Sequence, residues 1–175
     1  IWALGVAQVV SWGTLYYGFP LFVVPMQNEF GWSLEALNGA LSAGLLVSGL
    51  CTYGVGAWID RYGGRGLMAC GSLGTALLLL AWSQITSITG LYVVWLLLGA
   101  CLAAILYEPA FMVLGRHFTS DARRAVSTLT LIAGFASTFG IPLIETLLGH
   151  FAWRQVLLML AAMHLLVCLP IHWWF

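Results

Sequence analysis

The sequence contains very little charge. Only 7% of its 175 residues are Asp, Glu, Lys or Arg, against about a quarter in an average soluble domain. It has no lysine, and its six arginines are balanced by six acids to a net charge of zero. A neutral chain without a basic patch argues against a nucleic-acid partner. The shortage of charge also excludes an ordinary water-soluble domain, because so much apolar surface would leave large exposed patches.

Metal-ligand patterns are missing as well. Four cysteines lie singly in apolar runs, at Cys51, Cys70, Cys101 and Cys168. Their spacing does not resemble a metal motif, so we interpret them as small packing residues. We expect neither a metal nor a cofactor.

Long apolar runs dominate the sequence instead, since 62% of the residues are hydrophobic. About 20 apolar residues suffice for a helix to cross a bilayer. The chain therefore predicts an all-α membrane protein with six transmembrane helices, because the ten-residue alternation of a membrane barrel is absent. The predicted spans are 1–27, 35–59, 66–84, 90–115, 123–147 and 154–175.

The arginines predict how these helices are oriented. Five of the six lie in two loops on one side of the membrane: Arg61, Arg65, Arg116, Arg123 and Arg124. Only Arg154 lies on the other side. Since basic loops stay in the cytoplasm, we expect a multi-pass protein of the cell (inner) membrane, with both ends of this segment cytoplasmic.

A shift of 89 residues reveals an internal repeat. It aligns Pro20 with Pro109 and Arg65 with Arg154, and it lays the segment DRYGGR on GHFAWR. Three helices then repeat three helices, and because three is odd the second copy is inverted in the membrane. We expect an inverted 3+3 repeat, which is the building pattern of many secondary transporters.

The loop GAWIDRYGGR, residues 56–65, resembles the loop signature of the major facilitator superfamily, Gly-x-Leu-Ala-Asp-Arg-x-Gly-Arg-Arg/Lys. It also stands where that family has it, between helices two and three. The matching positions are Gly56, Asp60, Arg61, Gly63 and Arg65. Trp58 replaces the leucine of the signature, and Gly64 replaces the first basic residue of its closing pair.

Other segments resemble one bacterial branch of that family, which is similar to monocarboxylate carriers and oxalate/formate antiporters. The segments are SWGTLYYGFPLFVVPMQNEFGWS, LYEPAFMVLGRHF and FAWRQVLLML. The resemblance implies one half of a twelve-helix fold, here the N-terminal half, with a C-terminal six-helix half to follow. Leu21 stands where animal monocarboxylate carriers have a coupling lysine, and Trp95 stands where the family has a helix-four arginine. Those two roles are therefore not carried over.

The resemblance implies transport rather than catalysis. We expect a transporter of small organic anions such as a monocarboxylate, working in the lipid bilayer by alternating access, with protons as a candidate coupling ion. The alternatives are a sugar or drug carrier of the same family, a receptor without flux, and an intramembrane protease. The protease is disfavoured because Cys70, not glycine, stands two residues before Ser72.

The matching loop suggests a gate. Asp60, Arg61 and Arg65 are expected to latch the cytoplasmic side through charge pairs, with a partner helix in the C-terminal half. Gly63 and Gly64 are expected to allow a tight turn. The alternative is that these charges only enforce orientation. On the outer side, Glu145 is expected to pair with Arg154.

Two further groups are candidates for the substrate path. One face of helix one carries Gln8, Ser11, Trp12, Tyr16 and Phe19, with Tyr17 beside it. This face either lines the path or packs between helices. Glu108, which follows Tyr107, lies about 12 Å inside the membrane at 1.5 Å per residue. Glu108 is either a cavity or proton-linked group or a buried partner of Arg65 or Arg116. His164 and His172 are expected at packing positions.

Overall fold

The computed structural model describes residues 1–118 and 121–175. Within these ranges, six helices are long and apolar enough to cross a membrane. We number them helix 1 to helix 6: Trp2–Phe30, Leu34–Tyr62, Arg65–Ser83, Ile88–His117, Ala122–His150 and Trp153–Trp174. The predicted all-α, six-helix membrane fold is confirmed.

Short caps set several of the turns between helices. Helix 1 ends at Gly31, whose φ of 68° is a left-handed conformation that glycine adopts without strain. Helix 2 begins at Ser33, whose hydroxyl accepts a hydrogen bond from the Ala36 N–H at 3.2 Å. Ser87 caps helix 4 in the same way through the Gly90 N–H at 3.1 Å. Such short turns keep successive helices antiparallel.

Helices 2 and 4 approach each other very closely. A Cβ on Gly99 would lie 2.1 Å from the Gly44 carbonyl oxygen, so only glycine fits at this crossing. Small residues that allow close backbone contact are the usual basis of helix pairing in membranes. Helices 2 and 5 are the least buried of the six. Only 17% and 22% of the residues in their most apolar stretches are buried within this chain.

The two three-helix repeats are linked by two arginines in equivalent positions. Arg65, at the start of helix 3, donates from Nε to the Trp173 carbonyl at the end of helix 6. Arg154, at the start of helix 6, donates to the Ser83 carbonyl at the end of helix 3, at 2.6 Å. Arginine is favourable at a helix C-terminus, where carbonyls lack helical partners. We call these two contacts the reciprocal clasps.

Candidate functional site

Helix 4 is interrupted just before its Glu108-Pro109 pair. It consists of Ile88–Ile105 and Tyr107–His117, separated by Leu106 with φ −81° and ψ −152°. Pro109 has no N–H, so the Ile105 carbonyl loses the donor that an unbroken α-helix would supply four residues later. The break exposes polar backbone inside the membrane, where it needs another partner.

Gln8 of helix 1 supplies that partner. Its Nε2 donates to the Ile105 carbonyl at 2.7 Å and to the Leu106 carbonyl at 3.2 Å. Gln8 is fully buried. The sequence pattern had placed this residue only on a face of helix 1 and had not indicated a bond to helix 4.

Helix 1 is irregular near the position that the 89-residue repeat aligns with the break in helix 4. Its α-helical segments Trp2–Ser11 and Phe19–Phe30 flank a π-helical turn at Trp12–Tyr16. The second α-segment begins just before Pro20, as the second segment of helix 4 begins just before Pro109. π-Helical turns often mark functional positions, and paired discontinuous helices in inverted repeats point to a binding site.

An aromatic cluster lies between the π-helical turn of helix 1 and the break in helix 4. The ring centroid of Trp12 lies 5.4 Å from that of Tyr16 and 5.1 Å from that of Tyr107. Tyr17 lies 5.2 Å from Tyr16, and Phe111 stacks on Tyr107 at 5.2 Å. Tyr16 and Tyr17 are 39% and 37% exposed. We call these five residues the aromatic cluster. It includes four of the aromatic residues that the sequence suggested for the path, Trp12, Tyr16, Tyr17 and Tyr107, but not Phe19.

The face of helix 1 divides between the two expected roles. Ser11 and Phe19 are fully buried. Phe19 packs against Trp82 and Trp95, with centroids 5.7 and 4.8 Å away. The packing alternative therefore holds for these two residues, while Trp12 and Tyr16 belong to the aromatic cluster.

Glu108 is the second residue of the helix 4 segment Tyr107–His117, and its side chain is exposed. Among the described residues it has no ion-pair partner within 4.0 Å. The two candidate partners bind elsewhere, since Arg116 pairs with Asp60 and Arg65 binds the Trp173 carbonyl. The expectation of a buried partner for an arginine is therefore wrong for Glu108, because the side chain is exposed and both candidate arginines bind other groups.

The matching loop forms a charge pair inside this chain. Arg116 Nη2, at the end of helix 4, lies 3.2 Å from Asp60 Oδ1, at the end of helix 2. The side chains are 46% and 71% exposed, respectively. Gly63 turns the chain with φ 85°, and the Arg61 guanidinium lies over the Tyr62 ring at 5.3 Å. Within this chain the partner of Asp60 thus lies on helix 4; the expected partner helix in a C-terminal half stays a prediction.

The predicted pairing of Glu145 with Arg154 is wrong. Arg154 Nη2 lies 2.7 Å from Glu29 Oε1, at the end of helix 1, and the Trp153 indole N–H donates to Glu29 Oε2 at 2.7 Å. Glu145 is exposed and is not the acid that Arg154 binds. Proximity in sequence suggested Glu145, but helix 1 brings its last turn next to the start of helix 6.

Comparison with known proteins identifies the family. The model of the Major Facilitator Superfamily matches residues 4–175. This chain belongs to the major facilitator superfamily.

Relatives within the superfamily include two mammalian proteins. The chain is 30% identical over 152 residues to monocarboxylate transporter 13 from Bos taurus, and 28% identical over 152 residues to monocarboxylate transporter 13 from Rattus norvegicus. In both cases the match covers 86% of this chain and 36% of the relative. The chain therefore spans about a third of the length of these relatives.

Two buried histidines of helix 6 form hydrogen bonds to neighbouring helices. His164 Nε2 lies 3.0 Å from Thr14 Oγ1. Because the Thr14 hydroxyl donates its single hydrogen to the Val10 carbonyl at 2.7 Å, the His164 Nε2–H is the donor in this contact. His172 Nδ1 lies 2.6 Å from Ser72 Oγ. Both histidines are fully buried and connect helix 6 to helices 1 and 3.

Proposed function

We propose that this chain is the N-terminal six-helix half of a secondary active transporter that carries small organic anions, monocarboxylates in particular, by alternating access. One observation supports this proposal above the others. Helix 4 breaks at Leu106, helix 1 has a π-helical turn near the equivalent position of the repeat, and the aromatic cluster lies where the two meet. Interrupted helices of this kind form substrate sites in transporters with inverted repeats.

The aromatic cluster suits a small carboxylic acid. Tyrosine hydroxyls and the Trp12 indole N–H donate hydrogen bonds to a carboxylate without adding charge. The ring faces of Tyr107 and Phe111 offer apolar surface to the carbon skeleton. The names of the relatives, monocarboxylate transporter 13, support the same substrate class. The counter-charge for an anion would then come from the C-terminal half.

Asp60 and Arg116 would form the inner gate. Exposed ion pairs contribute little to stability because water and salt screen them. A pair that joins the cytoplasmic ends of helices 2 and 4 can therefore open in each cycle without a large penalty. In this proposal the five arginines of the two inner loops face the cytoplasm, and the protein lies in the cell membrane.

A second substrate class has one observation in its favour. The aromatic cluster adjoins the acid Glu108, whereas none of the six arginines belongs to it. Aromatic rings with a carboxylate are a favourable site for an organic cation. A drug carrier for cationic compounds is therefore the alternative within the superfamily.

Uptake into liposomes distinguishes these possibilities. The full-length protein would be reconstituted and offered radiolabelled lactate, pyruvate and formate, with a hexose and a quaternary ammonium compound in parallel. We expect accumulation of a monocarboxylate above its equilibrium level when a proton gradient is imposed. Accumulation of the hexose or the ammonium compound alone would contradict the anion proposal. Binding of a monocarboxylate without accumulation would indicate a receptor.

A further inference from the structure

The break in helix 4 is held from outside that helix. Pro109 leaves the Ile105 carbonyl without a helical donor, and a buried carbonyl without a partner is costly in a membrane. The only side chain that donates to Ile105 or Leu106 among the described residues is Gln8. The orientation of its amide is unambiguous, because two carbonyl oxygens can be satisfied only by the NH2 group.

A second contact from helix 1 lies one turn further along. Trp12 is four residues after Gln8, so both project from the same face of helix 1. The Trp12 ring lies 5.1 Å from the ring of Tyr107, the first residue after the break. Helix 1 therefore contacts helix 4 on both sides of Leu106. Gln8 bonds to Ile105 before the break, and Trp12 packs against Tyr107 after it.

We propose that Gln8 is a positioning residue of the substrate site: its side-chain amide fixes the break of helix 4 at Leu106 and so places Tyr107 and Glu108 beside the aromatic face of helix 1. The inference rests on the proposed function only in calling this place a substrate site. It implies that the middle of helix 4 moves together with helix 1, since one buried side chain bonds both to the last residue of the first segment, Ile105, and to the break residue, Leu106.

A double-mutant cycle tests the proposal without substrate. Glu108→Cys would be introduced into a full-length protein whose native cysteines are replaced, and its rate of alkylation by a small methanethiosulfonate would be measured in membranes. We expect Gln8→Leu to change this rate by roughly tenfold, the factor typical for one buried hydrogen bond. Pro109→Ala restores an N–H for the Ile105 carbonyl, so Gln8→Leu should have little further effect in that background.

Thr14→Val is the matched control. It removes a buried contact between helix 1 and helix 6 but does not touch helix 4, and we expect an unchanged alkylation rate at position 108. If Gln8→Leu does not fold, Pro109→Ala should restore folding, as judged by a monodisperse elution profile. An equal effect of Gln8→Leu with proline or alanine at position 109, or no effect at all, would overturn the proposal.

Transport by the same variants separates this inference from the proposed function. If the wild-type protein takes up none of these substrates, the proposed function is contradicted. The alkylation rates would still test the positioning role of Gln8. With uptake present, Gln8→Leu should lower Vmax, and Pro109→Ala should reduce the cost of that substitution. Additive losses of Vmax would contradict the positioning role.

Discussion

The reciprocal clasp formed by Arg154 predicts a defined loss of stability on mutation. Arg154 donates to the Ser83 carbonyl at 2.6 Å and to the Ile85 carbonyl at 3.0 Å. Its guanidinium also lies 4.5 Å from the centre of the Trp153 ring. Removing this side chain by Arg154→Ala leaves two helix-end carbonyls without their donor and removes the charge that complements the C-terminus of helix 3.

The magnitude follows from the exposure of the arginine. A hydrogen bond with a charged donor contributes about 1.5–3 kcal/mol. The Arg154 side chain is 30% exposed, so water can replace part of both bonds. We therefore expect Arg154→Ala to cost about 2 kcal/mol in total and to lower Tm by a few °C, less the larger the unit that unfolds cooperatively. Arg154→Lys keeps the charge but not the planar fork that reaches two carbonyls, so it should retain only part of the stability.

The assay is thermal unfolding of the purified full-length protein in detergent, followed by tryptophan fluorescence. Glu29→Gln and Glu145→Gln are a matched pair of controls, since each removes one carboxylate near the outer surface. Glu29→Gln should lower Tm slightly, because the ion pair with Arg154 is lost. Glu145→Gln should leave Tm unchanged. A larger fall of Tm for Glu145→Gln than for Glu29→Gln, or none for Arg154→Ala, would refute this account of the clasp.

Three further predictions follow from other contacts. Asp60→Asn removes the acid of the inner pair with Arg116; it should slow uptake several-fold in liposomes while membrane insertion, measured by protease protection, stays normal, and an unchanged rate would exclude the gate. Glu108→Gln should abolish substrate-driven proton uptake if this acid carries the coupled proton, and normal coupling would remove that role. Gly99→Ala places a Cβ 2.1 Å from the Gly44 carbonyl and should cost about 1–3 kcal/mol of stability, whereas Gly49→Ala, with no described atom within 4 Å of the added Cβ, should be neutral in the same unfolding assay.

The number of helices was predictable because hydropathy and length decide it. Long apolar runs interrupted by short polar segments leave few alternatives in a membrane. The inverted repeat was likewise visible in Pro20 and Pro109, and in Arg65 and Arg154. The structure adds what these positions do: Pro109 follows the break in helix 4, Pro20 follows the π-helical turn in helix 1, and the arginines form the reciprocal clasps.

The pairing of charges was not predictable, because it depends on which helix ends are neighbours. Arg154 binds Glu29, 125 residues away, instead of Glu145. Asp60 binds Arg116 across 56 residues. The role of Gln8 had one usable signal: a proline inside a membrane helix leaves a carbonyl without a donor, and Gln8 carries one of few amide groups near that depth. Its partner across 97 residues could be identified only from the packing of helices 1 and 4.

The reciprocal clasps have a consequence for the order in which the protein is made. Each clasp joins helix 3 to helix 6. Because helix 3 is synthesised first, Arg65 and the Ser83 carbonyl can form these bonds only after helix 6 has been made. A nascent chain of five helices has neither bond. The arrival of helix 6 in the bilayer satisfies both ends of helix 3 in one step, so assembly of this domain is completed by its last insertion event.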